Sequence, residues 1–312
     1  MSETPRSATA TPKAVAITGS TGLVGTALKR KLRADGFAVR GISRSAKPDD
    51  SSTILWKPRE KVIEADKLEG VDAVVHLAGE SIAEGRWTDE KKERIRVSRV
   101  LGTTFLCEAL ANLRQKPRVL VSASAVGYYG DRGVEALDES SAPGKGFLAD
   151  VAQQWEDATK AAKEAGIRVV ILRFGVVLSP DGGALAKLLP IFKAGGGGVV
   201  GNGKQYMSWV GLHDLVRVIE FAIENDSVSG VLNAVSPNPV PNREFVKTLA
   251  DVLNRPAIFP APAFAIKLAF GEMGKETILA STRVLPRELE KAGFSFSYPN
   301  LEPALRHELE KA

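Results

Sequence analysis

The chain has 312 residues, 44% hydrophobic and 25% charged, with a formal net charge of +5. It is long enough to bury a sizeable core, and its basic residues are interleaved with acidic ones, which argues against a nucleic-acid binder. One cysteine, Cys107, and three scattered histidines exclude a disulfide framework, argue against a zinc site and fit a reducing compartment.

Residues 1–13, rich in Ser, Thr and Pro, read as a disordered tail without the apolar region of a signal peptide. No apolar run reaches the roughly 18 residues of a membrane span. The expected location is the cytoplasm, with no membrane partner.

The organising stretch is Ala14 to Gly25, Ala-Val-Ala-Ile-Thr-Gly-Ser-Thr-Gly-Leu-Val-Gly. A β-branched apolar run predicts a buried strand, and Leu23, Val24, Ala27, Leu28 and Leu32 follow at helical spacing up to Gly36. Strand, glycine turn and helix aim free N–H groups and the positive helix end at a phosphate. Gly19 permits the tight turn, Gly22 close approach of a pyrophosphate and Gly25 close helix–strand packing. Ser20, Thr21, Leu23 and Val24 complete the expected dinucleotide contact.

A second strand, Ala38–Ser43, ends at Ser43-Arg44. An acidic residue there would bind a ribose 2′-hydroxyl. Arg44, with Lys47 nearby, suits a 2′-phosphate and so NADP(H). Residues 53–56 predict a short third strand. Asp72–Gly79 predicts a fourth, whose small end at Leu77, Ala78 and Gly79 admits a flat ligand. His76 inside it reads as a satisfied core histidine, and Glu80 stands at the rim.

Thr88 to Leu113 predicts a long helix capped by Thr88, with Asp89 and Glu90 in its first turn. Arg99 falls on the apolar stripe of Ile95, Gly102, Leu106 and Leu110, where a charge needs a partner, a phosphate or a carboxylate. Arg118–Ser122 predicts the fifth strand, and hydroxyls at Ser122 and Ser124 can reach a ligand or cap a loop. Ile167–Phe174 and Gly230–Ala234 predict two further strands. Asn242 is the expected cap of a helix presenting Phe245, Val246, Leu249 and Leu253. Pro256, Pro260 and Pro262 mark a linker into the last segment.

Taken together, Thr-Gly-Ser-Thr-Gly-Leu-Val-Gly, Leu77-Ala-Gly, Ser122-Ala-Ser before Tyr129-Gly, Leu172-Arg-Phe-Gly175 and Trp209-Val-Gly-Leu-His-Asp-Leu215 resemble the extended short-chain dehydrogenase/reductases. Gly85-Arg86-Trp87-Thr88, Ile95-Arg-Val-Ser-Arg99, Phe147-Leu-Ala-Asp-Val and Trp155-Glu156 are similar to an atypical branch of them, the SDR39U1-like "epimerase family". Pro262-Ala-Phe264, Gly271-Glu-Met273, Ala280-Ser-Thr-Arg-Val-Leu-Pro286 and Gly293-Phe resemble that branch's C-terminal domain of unknown function, DUF1731.

The resemblance implies an α/β fold, a Rossmann-type doubly wound parallel sheet with a smaller α-rich C-terminal lobe. The expected division is 14–240 and 241–312, with parts of 176–230 lent to the substrate lobe and a DUF1731-like segment at about 256–308. Extended relatives use a Tyr-x-x-x-Lys pair, whose Tyr is the acid/base and whose Lys holds the ribose. Here those positions hold Leu148 and Ala152, or Phe147 and Val151 in the other register. Ser124 keeps the Ser position, and Arg99 stands where relatives often have Asn.

The implied function is an NADP(H)-binding oxidoreductase of unknown substrate, with hydride passing near Ala78, Gly79, Ser124 and Phe174. Ser124, Tyr128 and Glu80 are the candidate catalytic groups, Tyr128 being the substitute acid. Arg86, Trp87, Glu156, Met207 and Trp209 are the candidate pocket residues. The expected partners are a dinucleotide and a small molecule. The alternative is a non-catalytic NADPH-binding regulatory protein, since members of the branch are linked to bacterial and plastid division. An NDP-sugar epimerase comes third.

Overall fold

A computed structural model describes residues 13–45 and 52–310; Lys47 and residues 1–12 of the expected tail lie outside the described residues. In chain order the first half runs β1 (Ala14–Thr18), α1 (Leu23–Ala34), β2 (Ala38–Ser43), β3 (Thr53–Lys57), β4 (Val62–Ile63), β5 (Ala73–His76), α2 (Asp89–Ala111) and β6 (Val119–Ala125). Then come β7 (Ala136–Leu137), α3 (Phe147–Asp157), α4 (Lys160–Glu164), β8 (Arg168–Phe174), β9 (Val176–Leu178) and α5 (Gly183–Lys193). The chain continues through β10 (Tyr206–Met207), β11 (Trp209–Gly211), α6 (Leu212–Glu224), β12 (Gly230–Ala234) and β13 (Val240–Pro241). Its last elements are α7 (Asn242–Leu253), α8 (Ala263–Met273), β14 (Arg283–Val284), α9 (Arg287–Lys291) and α10 (Leu301–Glu310).

The eight-stranded main sheet has the order β12-β8-β6-β5-β1-β2-β3-β4. All neighbours are parallel except β3 and β4. Parallel strands need both faces covered, which is why these segments are almost wholly apolar. On one face Val15, Ile17, Val75, Val121 and Val170 pack with Leu28 and Leu32 of α1 and with Leu215 and Ile219 of α6. On the other, Ala16, Val74, Leu120 and Val169 meet Leu106, Cys107 and Leu110 of α2 and Ala162 of α4. The fold is Rossmann-like and doubly wound.

A separate core of Leu185, Leu189, Phe192, Trp209, Phe245, Leu249, Leu301 and Leu305 joins α5, β11, α7 and α10. This α-rich lobe draws on residues either side of 240. The C-terminal segment also returns to the main sheet, where Leu289 and Phe294 enter its core, while its β14 pairs with β7 in a separate two-stranded sheet.

Two local expectations are corrected. β6 runs on to Ala125, because Ser122–Ala125 keep pairing with Ile171–Phe174 of β8, so Ser124 stands in a strand and not in a loop. Pro241, not Asn242, is the cap residue of α7, and the Asn242 side-chain oxygen accepts from the Val200 N–H instead. Pro256–Pro262 hold no helix, as expected of a linker, and Pro262 caps α8, whose Phe264 and Leu268 are exposed. No helix among the described residues is long and apolar enough to cross a membrane.

Candidate functional site

The strand order reverses between β1 and β5, so their carboxyl ends open the crevice where doubly wound sheets take ligands. Gly19 turns there with φ +66°, and a Cβ on it would stand 3.1 Å from the backbone of Leu77 and Ala78. The Gly22 N–H donates to the Gly19 carbonyl at 3.0 Å. Gly22 is itself exposed, and it caps α1 with no side-chain hydrogen bond and no acid in the first turn. A Cβ on Gly25 would lie 2.2 Å from the Gly19 oxygen, so only glycine lets the helix start so close to the strand. The uncompensated helix end and the open surface at Gly22 fit a pyrophosphate. Ser20 is buried against Gly41 of β2, Thr21 is exposed, and Leu23 and Val24 are half-buried. Ser43 and exposed Arg44 end β2 beside this turn.

Thr18 and His76 fix the facing strand ends. The Thr18 hydroxyl accepts from the Leu77 and Ala78 N–H groups at 3.0 and 3.1 Å. It is 2.8 Å from His76 Nδ1, and His76 Nε2 is 2.9 Å from the Thr103 hydroxyl. With two donors already on Thr18 Oγ1, its own proton goes to Nδ1, which leaves Nε2 as the donor to Thr103. Burial brings the His76 pKa down to about 4, so the ring is neutral. It is the satisfied core histidine.

Arg99 lies half-buried on α2 with its guanidinium against Gly79. Nη1 donates to the carbonyls of Glu80 (3.0 Å) and Ile95 (3.3 Å), and the group sits 5.0 Å from the Trp155 ring. Burial brings its pKa down to about 10. The Glu80 carboxylate turns instead to buried Lys91 at 2.8 Å and to Arg94 at 3.5 Å. The hydrogen bond from Lys91 leads in holding it below the usual carboxylate range.

Ser124 belongs to a buried polar chain. Its hydroxyl donates to Glu156 at 2.7 Å, and Glu156 takes a two-point contact from Arg173 at 2.8 and 2.7 Å. Arg173 also donates to the Tyr129 hydroxyl at 2.9 Å, which donates to Asn233 at 2.8 Å. The Tyr128 ring lies on the Arg173 guanidinium, 3.4 Å from centroid to carbon. Glu156 is thus held by protein groups on both oxygens. The sequence reading missed Arg173, Tyr129 and Asn233; the available signal was a lone arginine ending an apolar strand. Leu148 packs on Gly127 in this region, and Ala152 is buried.

Ser122 is buried with its hydroxyl 3.5 Å from the Ala123 carbonyl, and Phe174 is half-buried at the end of β8. Arg86 donates to the Leu268 carbonyl of α8 at 2.8 Å. Trp87 packs edge-on to Phe147, in a cluster with Ile95, Val151 and Met273. Glu276 accepts from the Phe147 and Leu148 N–H groups at 3.0 and 2.9 Å, tying the C-terminal segment to the start of α3. Met207 is half-buried in β10. Trp209, expected in the pocket, is fully buried, because its large apolar ring fills the core of the C-terminal lobe and its Nε1 donates to Asn238. No cluster of three potential metal ligands occurs among the described residues.

The NAD dependent epimerase/dehydratase family profile matches residues 15–234, and the domain of unknown function DUF1731 matches 261–308. An epimerase family protein of Mycobacterium bovis is 43% identical over 291 residues, covering 93% of this chain and 96% of its own. The chloroplastic SDR39U1 homolog of Arabidopsis thaliana is 41% identical over 301 residues, covering 94% and 85%. The crystal structure of human epimerase family protein SDR39U1 with NADPH superposes with a TM-score of 0.88 at 33% identity, covering 96% of this chain and all of that one. A UDP-N-acetylglucosamine 4-epimerase from Bacillus cereus, at 18% identity and TM-score 0.74, shares the fold. With a profile match over most of its length, this chain belongs to the NAD dependent epimerase/dehydratase family.

Proposed function

We propose that this chain is an NADP(H)-binding oxidoreductase of the atypical short-chain type, acting on a small molecule. The observation that carries the reading is the turn Gly19–Gly25, where Gly25 presses on the Gly19 carbonyl and Gly22 leaves the helix end open. The NADPH in the human relative's structure supports the cofactor. Bound there, the cofactor would exchange hydride with a substrate. Ser43 and Arg44 would hold its adenosine end, Arg44 meeting the 2′-phosphate. Leu77, Ala78 and Gly79 would form one wall, Arg99 a charged contact, and Ser122 and Phe174 the floor at β6 and β8.

Tyr128 is the strongest candidate for the proton donor, because its hydroxyl makes no hydrogen bond among the described residues while Arg173 fixes its ring. Ser124 gives its proton to Glu156, and Glu80 is engaged by Lys91; both are weaker candidates. Arg86, Trp87 and Met207 remain the candidate substrate contacts. A second reading, an NADPH-binding regulatory protein without turnover, draws support from the apolar Leu148 and Ala152 and from Glu156 being consumed by Arg173. Calorimetry with NADPH and NADH, followed by NADPH oxidation against carbonyl and sugar-nucleotide panels, tests both. Binding without turnover favours the regulatory reading. No binding of NADPH refutes both.

A further inference from the structure

We propose that the substrate is a carbonyl compound with a long apolar chain, its head beside Tyr128 and its chain running over Ile82 and Leu148 onto α8. This substrate class rests on the oxidoreductase reading above. In the reaction the carbonyl carbon takes a hydride from NADPH and its oxygen a proton from Tyr128 or water, giving the alcohol and NADP+. The wall between Gly79 and Tyr128 is apolar. The loop that leaves Gly79 and Glu80 carries Ile82 and Trp87 into a cluster with Phe147, Leu148 and Met273. Ile82 and Leu148 stay half-buried there. Leu148 also packs on Gly127, the residue before Tyr128, so the wall reaches the candidate proton donor.

The donors along this wall are spent within the protein. Trp87 Nε1 donates to the Ile82 carbonyl at 2.9 Å, and the Phe147 and Leu148 N–H groups donate to Glu276. A sugar would leave hydroxyls unpaired against such a wall, whereas an alkyl chain has none to satisfy. The same loop leads outward to α8. Arg86 donates to the Leu268 carbonyl at 2.8 Å, and a Cβ on Gly271 would lie 3.7 Å from Arg86 Nε. Met273, the last residue of α8, is buried in the wall cluster, so one helix joins the wall to the surface. Among the described residues, five of the nine exposed large apolar side chains fall within 258–270. Three of them are on α8: Phe264 and Leu268, one turn apart and 73% and 75% exposed, and Phe270. No Asp or Glu occurs from Arg255 to Gly271, so no carboxylate interrupts this face. An apolar chain leaving the cleft wall would cover it.

The test is calorimetry on the full chain with 1-hexanol and 1-decanol, alcohols that NADPH cannot reduce, titrated with and without NADPH. Wild-type binding of NADPH checks the oxidoreductase reading by itself; the alcohols check the substrate class even where that reading fails. A buried methylene is worth about fourfold in affinity, so decanol should bind the wild type tenfold or more tighter than hexanol. In Phe264→Ser with Leu268→Ser, both at exposed positions, the decanol Kd should rise tenfold or more while that of hexanol stays within threefold. Leu148→Ser, at the cleft end, should weaken both alcohols; if it does not fold, Leu148→Ala gives the same comparison with a smaller loss. Equal binding of the two alcohols by the wild type overturns the proposal. So does decanol binding that survives the α8 substitutions. Decanol binding lost in the α8 variant but kept in the Leu148 variant also overturns it, because the chain would then lie on the surface alone.

Discussion

Gly25 and Gly19 meet so closely that a methyl group on Gly25 would stand 2.2 Å from the Gly19 carbonyl oxygen and 2.8 Å from the Ser20 Cα. Both contacts are backbone, so nothing there can rotate aside. Gly25→Ala is therefore expected to cost about 3 kcal/mol or more, the upper end of overpacking effects, and to abolish NADPH binding. Gly41→Ala is the control. Its Cβ would meet the Ser20 Oγ at 2.9 Å, the end of a side chain that can turn. A cost under about 1 kcal/mol is expected there. Urea unfolding of the two variants checks the contrast, and equal costs would refute the steric account.

Arg44 directly follows Ser43, the last residue of β2, and is exposed. Arg44→Asp should weaken NADPH binding by tenfold or more and spare or improve NADH, because a charge-assisted contact to the 2′-phosphate is replaced by repulsion. Calorimetry with both cofactors reads the change. Equal affinity of the wild type for the two would remove the basis for it.

The glycine turn and the elements on either side of it were legible because they depend on local pattern. A glycine turn, the strand before it and the helix after it are all written within Ala14–Ala34. The apolar runs marked seven of the main sheet's eight strands, and not their register. The network around Ser124 was not legible, since Arg173, Tyr129 and Asn233 come together only when β6, β8 and β12 lie side by side. Trp209 misled for the same reason: an aromatic beside Met207 reads as pocket lining until α5, α7 and α10 enclose it.

Removing Glu156 should show that network as a structural unit. Arg173 and Glu156 side chains are only 4% and 10% exposed. Glu156→Ala strands the Arg173 charge and is expected to cost about 3–5 kcal/mol, the usual range for breaking a buried pair. The double replacement Glu156→Leu with Arg173→Met removes both charges and should recover a large part of that loss. Denaturant titration of the three proteins decides it. A double variant no more stable than Glu156→Ala would refute the account of a stranded charge.

His76 gives a pH dependence with a definite sign. Its pKa is lowered from 6.5 to about 4 by burial. Between those values the unfolded chain binds the proton and the folded chain does not, so stability falls as pH drops from 6.5 toward 4 and then levels off. The loss attributable to this residue is about 3 kcal/mol. His76→Gln should lower stability at pH 7 yet flatten its dependence through that window, which unfolding titrations at several pH values would reveal. An unchanged slope in the variant would assign the acid sensitivity to other groups.

The protein should show little or no sugar-nucleotide 4-epimerase activity, despite the fold it shares with such enzymes. Epimerisation needs a base to take a hydroxyl proton as hydride leaves, and such help is typically worth ~10²–10⁴ in rate. Leu148 packs on Gly127, and Ala152 is buried and apolar. In the other register Phe147 and Val151 lie in the cluster with Trp87 and Met273. None of the four can hold or move a proton. Tyr128 stands on a different element, after β6 and over Arg173, so a substrate using it would approach the nicotinamide from another direction. Turnover is therefore expected as reduction of an activated carbonyl or double bond, where hydride transfer is the main demand and Tyr128 or water supplies the proton. Tyr128→Phe should lower such an activity by tenfold or more, with NADPH affinity within twofold of wild type. Robust interconversion of UDP-glucose and UDP-galactose by the wild type would contradict the argument at its root. Full activity in Tyr128→Phe would leave the cleft as drawn and move the proton source elsewhere.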